Sequence, residues 1–314
     1  MTENTAVMIC GQGSDTAADA FDGLAGAFRE TYPDLDVESG FLGHAGPSIR
    51  DGLDALRARG AEKIICLPGA LSVAGAQKTE LLAEIDAFAR AHDGLEVMFC
   101  RELTIDARLL AAARDRIEAA EAAAAAAVAR ERTLLMVVGP GTDDTAANAD
   151  IWKTARMLWE GMGFGWAEVS YADAAFPSLD TGLDHAARLG FDRVIVFPYF
   201  LFAGARVRDI AAGVDAWSAG REALEVITAE PLNDPQALLD CLAERLDEAL
   251  NGSKNMNCQL CGYREQILAD AHDHSHGNEH GHGHDHHHHH HHHDDHHHRH
   301  HHHHDDDDAP SGGG

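Results

Sequence analysis

The sequence predicts an α/β protein of two tandem lobes, each a mainly parallel, doubly wound sheet, followed by a disordered His-rich C-terminal tail. Three observations predict it. The chain repeats itself at long range, each copy alternates apolar strands with helical patterns, and the pattern stops near residue 252. Composition agrees: 314 residues with 45% hydrophobic content can bury two cores of ordinary size.

The repeat comes first. "TAVMICGQGSDTAADA" at 5–20 matches "TLLMVVGPGTDDTAANAD" at 133–150: an apolar strand, a G-x-G-[ST]-D turn and a helix start. The stretch 39–82 then matches 169–210, pairing Pro47 with Pro177, Gly52 with Gly182, Gly60 with Gly190, Pro68 with Pro198 and Gly75 with Gly204. The offset is 128 at the first turn and 129–130 thereafter. A period that long means duplicated domains rather than a solenoid.

Each copy reads as strand, helix, strand, helix, strand. "AVMIC", "KIICLP" and "LEVMFC" in the first, and "LLMVVG", "RVIVFPYF" and "LEVITAE" in the second, are short apolar runs. Such runs suit strands covered on both faces. "IRDGLDALRARG" and "TARMLWEGMG" are helical patterns closing near a glycine. Strands alternating with helices argue for a parallel sheet. The expected divisions are a first lobe at 1–106, an Ala-rich helical linker at 107–131, a second lobe at 132–251 and a tail at 252–314.

Composition also limits function. The formal charge is −28, of which 272–308 contributes −8 and the body the rest. With no basic stripe, neither nucleic acid nor an anionic membrane is an expected partner. No apolar run reaches the length of a membrane span, and the N-terminus lacks the positive region of a signal peptide. Six cysteines do not make a disulfide framework, and Cys10, Cys66 and Cys100 read as buried small hydrophobes. A reduced cytoplasm is the expected location.

In an open parallel sheet, ligands bind beyond the carboxyl ends of the strands. Three loops per copy occupy that edge: "GQGSD", "LGHAG" and "PGALSVAGAQK", then "GPGTDD", "YADAAF" and "FPYFLFAGARVR". Two copies facing each other would enclose a cleft. The Gly-rich turns are poor phosphate cradles, since "GQGSD" lacks a third glycine and no G-K-[ST] follows. His44 falls on this edge between two small residues, and Asp173 lies next to its counterpart in the second copy. The competing readings are a solvated loop histidine and a turn or N-cap aspartate. His92 and His185 sit in helical contexts and read as structural.

After Gly252 comes "MNCQLC" and then a tract holding 22 of the 25 histidines. An expression tag would not bring its own cysteine pair, nor interleave Asp, Gly and Glu among the histidines. Cys258 and Cys261 have metal-ligand spacing but supply half of a four-ligand site. The flexible imidazoles, among them His272, His274, His276, His280, His282 and His284, bind first-row divalent ions without selecting one.

The tandem copies, "PYFLFAGARVRDI", "ANADIWKTARMLWEGMGFGWAEVSYADAAFPSL", and above all M-x-C-x-x-C ahead of a histidine tract resemble the class II tetrapyrrole chelatases, specifically the long-form CbiX (sirohydrochlorin cobaltochelatase) family. The resemblance covers nearly the whole chain. It implies insertion of Co²⁺, the substrate metal, into sirohydrochlorin without ATP, in cobalamin biosynthesis. It also implies an Fe–S cluster at Cys258 and Cys261, shared between two chains of a homodimer. A Cys₂His₂ Zn²⁺ site using His272 or His274 is the physical alternative. Lys78, Arg206 and Arg208, on the third loops, are the candidate cations for the substrate's carboxylates, against a reading as ordinary surface charge.

The chain departs from that family where it matters. Members carry His in the first turn, Glu after the second strand and His after the third. Here those positions read Gln12, Gly43 and Ala76, and the second copy offers Pro140 and Ala205 in place of the histidines. Either His44 with Asp173 and Gln12 forms a substitute catalytic site, or a silent paralogue stores or delivers Co²⁺ or Ni²⁺.

Overall fold

The structure, a computed structural model, describes residues 4–12, 18–42, 46–73, 75–221 and 223–252. The first lobe runs β1 (Thr5–Gln12), α1 (Ala18–Thr31), β2 (Asp36–Leu42), α2 (Ile49–Ala58), β3 (Lys63–Pro68), α3 (Gly75–Arg90) and β4 (Glu96–Phe99). After α4 (Ala107–Ala123) the second lobe repeats the order: β5 (Thr133–Gly139), α5 (Thr145–Met162), β6 (Trp166–Tyr171), α6 (Leu179–Ala186), β7 (Arg193–Pro198), α7 (Ala205–Ser218) and β8 (Glu225–Thr228). Helix α8 (Pro235–Asn251) ends the described chain.

Among the described residues the strands form two parallel four-stranded sheets, ordered β2-β1-β3-β4 and β6-β5-β7-β8. Each lobe therefore has one strand more than the expected outline. The additions, "DVESGFL" and "WAEVSY", carry too many polar residues to read as apolar runs. The glycine stops are as expected: Gly60 (φ 90°) follows α2, and Gly163 (φ 78°) caps α5 in the left-handed region that favours glycine.

Strand side chains alternate between two cores. Val7, Ile9, Ile65 and Leu67 enter one apolar cluster together with Leu135, Val137, Ile195 and Phe197 of the second lobe. The intervening Ala6, Met8, Cys10, Ile64 and Cys66 pack into a cluster private to the first lobe, and Leu134, Met136, Val138, Val194 and Val196 into one private to the second. The shared cluster exists because the lobes exchange helices. Helix α4 leaves the first lobe and packs on α5 and β7, while α8 leaves the second lobe and packs on α1 and β3.

The Ala-rich stretch was expected to be one long helix joining the copies. Helix α4 instead ends at Ala123, inside the alanine run, and Ala124 is extended. Buried Arg193 donates from Nη2 to the Ala126 carbonyl at 2.6 Å and from Nε to Glu225 at 2.9 Å, holding 124–129 against the second sheet. Tertiary contact overrides alanine's helix propensity.

Cys10, Cys66, Cys100 and Cys241 are free, buried thiols, as the apolar contexts of the first three imply. Burial pushes the Cys100 thiol up to about 12. His92 stacks on Phe88 at 4.4 Å, and His185 lies 3.3 Å from Glu168.

Candidate functional site at the carboxyl edges

The glycines that open the edge serve packing. A Cβ at Gly11 would lie 2.8 Å from the Phe21 ring and one at Gly69 2.5 Å from it, so that ring seals the ends of β1 and β3 against α1. Gly139 plays the same part toward Ile151 at 2.8 Å. Packing therefore accounts for glycine at 11, 69 and 139.

In the first lobe, the loop after β3 is held from the strap that follows β4. Leu103 N–H donates to Ala70 O at 3.3 Å and Thr104 N–H to Leu71 O at 2.7 Å. Glu102, buried on the same strap, has Lys78 Nζ 3.1 Å from Oε1 and accepts from Ser72 Oγ at 3.4 Å. Burial raises its carboxyl above the usual glutamate value, against the pull of Lys78 and Ser72. The second lobe repeats the backbone part: Leu232 N–H donates to Phe200 O at 3.0 Å and Asn233 N–H to Leu201 O at 2.9 Å. Thr104 and Asn233 share positive φ values of 43° and 34°.

The two straps meet around Arg245 of α8, which is fully buried. Its guanidinium reaches the carbonyls of Glu102 and Leu103 and the carboxylate of Asp106 at 3.3, 3.4 and 3.5 Å. Burial works to raise the Asp106 carboxyl, but the Arg108 N–H and the charges of Arg108 and Arg245 outweigh it and hold the group below its usual range. Arg101 pairs with Glu248 at 2.6 Å, and Tyr199 Oη donates to Thr104 O at 3.4 Å. Because Tyr199 follows β7 and Thr104 follows β4, this junction brings the carboxyl edges of the two sheets together.

In the second lobe, Arg206 Nε lies 2.7 Å from Asp173 Oδ2. Asp173 lies just beyond β6, where its N–H donates to Pro140 O at 2.9 Å, and Arg206 is the second residue of α7. The ion pair therefore crosses above the end of β5. Arg208, one turn into α7, is exposed and makes no ion pair among the described residues.

Two residues singled out separately from the sequence, Asp173 and Arg206, are thus direct partners, and Lys78 is engaged by Glu102. Gln12 ends β1 opposite Leu42, with its side chain outside the described residues. His44, Cys258, Cys261, His272, His274, His276, His280, His282 and His284 also lie outside them. Among the described residues, no three His, Cys, Asp or Glu side chains are grouped to hold a metal ion. Sequence reasoning missed Glu102 and Arg245. The signal was there in "CRELTID", with charges directly after a strand, and in an arginine on the apolar face of α8.

Comparisons with known proteins bear on this architecture. A family model described as CbiX matches residues 6–120 and again 134–249, one match per lobe. The chain is 32% identical over 238 residues to a sirohydrochlorin cobaltochelatase of Priestia megaterium, spanning 76% of this chain and 77% of that protein. It is 28% identical over 224 residues to a sirohydrochlorin ferrochelatase of the same organism, spanning 70% and 82%. The fold is also that of SirB from Bacillus subtilis with Fe³⁺ (TM-score 0.66, 20% identity, 81% of this chain and 98% of that one). It is likewise that of the CbiX described as the terminal enzyme for siroheme biosynthesis in denitrifying bacteria (0.55, 18%, 76% and 98%). Matched independently on both lobes and across most of its length, the chain belongs to the CbiX family of class II chelatases, in the two-lobed long form.

Proposed function

We propose that the protein inserts Co²⁺ into sirohydrochlorin, without ATP, as a step of cobalamin biosynthesis. The observation that carries this reading is the 32% identity, over both lobes, to a relative named for that reaction. The ferrochelatase-named relative is less similar, at 28%. Both names favour an enzyme over a silent paralogue that stores or delivers Co²⁺ or Ni²⁺.

The chemistry asks three things of the chain. Pyrrole N–H protons must leave, the carboxylate-rich macrocycle must be held by local cations on an acidic protein, and the incoming ion must exchange its ligands for ring nitrogens. His44 follows the end of β2 by two residues in the sequence and is our candidate imidazole, since a neutral imidazole both accepts a proton near neutral pH and binds first-row metals. Arg206 and Arg208 supply charge on the second lobe. Lys78 supplies it on the first, where Glu102 holds it beside the third loop.

Insertion exchanges protons for a divalent cation and moves no electrons. A cluster at Cys258 and Cys261 would thus stand outside the reaction, and the pair completes half of a cluster or Zn²⁺ ligand set. The homodimer that a shared cluster requires belongs to the same proposal. Free thiols at the four described cysteines suit a reducing cytoplasm, and no helix among the described residues is long and apolar enough to cross a membrane.

The test is anaerobic incubation with sirohydrochlorin and Co²⁺, followed by absorbance, beside His44→Ala. Turnover well above the spontaneous rate, falling by about a hundredfold in the variant, is expected for loss of an acid–base group. A wild-type rate equal to the spontaneous one rejects the enzyme, and full activity in the variant rejects His44.

A further inference from the structure

We infer that Asp173 is a positioning residue that fixes Arg206 as a receiver for a substrate carboxylate, rather than a proton acceptor in its own right. The inference rests on the tetrapyrrole reading above.

Three features lead to it. Arg206 sits in the first turn of α7, where the helix dipole disfavours a cation, so its place there needs a local compensation. Asp173 supplies it through Nε at 2.7 Å, the inner edge of the guanidinium. Among the described residues Arg206 has no ion-pair partner besides Asp173, and its side chain is 57% exposed. A guanidinium paired at its inner Nε edge leaves its outer Nη edge to face a ligand, and that planar fork is what recognises a carboxylate.

Placement adds a second argument. β6 and β7 leave the central strand β5 on opposite sides, and the crevice above such a strand is where open parallel sheets bind ligands. The ion pair spans that crevice, and Asp173 is fixed there by its N–H bond to Pro140 O.

The duplication adds a third. The equivalent first-lobe positions are Gly43 and Gln77, which carry neither charge. The pair is therefore not needed to build the fold, which the first lobe attains without it. It is a feature of one lobe, on a chain whose net charge of −28 would otherwise repel an acidic ligand.

The experiment compares wild type, Asp173→Asn, Asp173→Glu, Arg206→Gln and the double variant Asp173→Asn/Arg206→Gln. Turnover is measured with sirohydrochlorin varied and Co²⁺ fixed. Binding of metal-free sirohydrochlorin is titrated separately, by its absorbance change. Arg206→Gln should raise KM and the dissociation constant about tenfold, as expected for losing a charge-assisted hydrogen bond, with kcat nearly unchanged. Asp173→Asn should raise both about threefold, Asp173→Glu should recover part of that, and the double variant should match Arg206→Gln, because Asp173 acts only through the arginine.

A fall in kcat at unchanged KM in Asp173→Asn would make the carboxylate a proton acceptor and overturn the proposal. Additive losses in the double variant, or wild-type binding in both single variants, would overturn it too. A wild type that binds the macrocycle in the expected pattern but inserts no metal would reject the chelatase reading and leave the positioning role standing.

Discussion

Arg245 shows how one buried charge ties two lobes together. It belongs to the second lobe by sequence, yet its partners Glu102, Leu103 and Asp106 belong to the strap leaving the first. Burying a guanidinium is costly unless it is paired and its donors are used, and here carbonyls and carboxylates use them. Removing it would leave two buried carbonyls without that donor and Asp106 with Arg108 as its remaining cation. Arg245→Ala should lower unfolding stability by about 3–5 kcal/mol, read by urea denaturation at neutral pH. The deficit should shrink in acid. The folded-state value of Asp106 is lowered from 3.8, so its contribution is present above that value and lost as pH falls through the folded one. Once the carboxyl is protonated, wild type loses the same partner as the variant. A deficit independent of pH would mean that Asp106 does not contribute through its charge.

Helices α4 and α8 carry the exchange, and they mark where sequence reading stops. An amphipathic pattern tells which face of a helix is buried, not which sheet buries it. The repeat, the central strands and the glycine stops were legible because each leaves a local mark: an apolar run, or a positive φ at Gly60 and Gly163. β2 and β6 were blurred by polar residues such as Glu38 and Glu168. The end of α4 was hidden because Arg193, far along the chain, decides it. For the site, sequence found Asp173 and Arg206 but not their pairing, which spans 33 residues and depends on strand order. The exchange predicts shared cooperativity. Leu242 of α8 is fully buried in the cluster that both lobes build. Leu242→Ala should cost about 2–5 kcal/mol and shift one common unfolding transition, seen alike by circular dichroism and tryptophan fluorescence. Trp152, Trp159, Trp166 and Trp217 all lie in the second lobe, so fluorescence reports that lobe alone. If the fluorescence transition stays at its wild-type position while circular dichroism shifts, the lobes unfold independently.

For the whole molecule, the exchanged helices and the tail make opposite demands. Helix α8 is needed by both lobes, and Gly252, in the left-handed conformation with its N–H bonded to Glu248 O, closes it completely. Cys258, Cys261 and the 22 histidines follow this cap in the sequence, outside the described residues. Tethering a weakly held ion close to the carboxyl edges would raise its local concentration without any new contact in the body. Binding needs neutral imidazole, so the ion would leave as pH falls through about 6.5. A chain ending at Gly252 should keep the melting temperature of the metal-free full-length protein. It should lose most of the bound Co²⁺ measured by equilibrium dialysis at neutral pH, and also lose the acid-triggered release. Its rate should match wild type when Co²⁺ is saturating and fall below it when Co²⁺ is scarce. Equal metal stoichiometry in the two chains would place the ions on the body instead. Equal rates at scarce Co²⁺ would leave the tail binding ions that never reach the macrocycle.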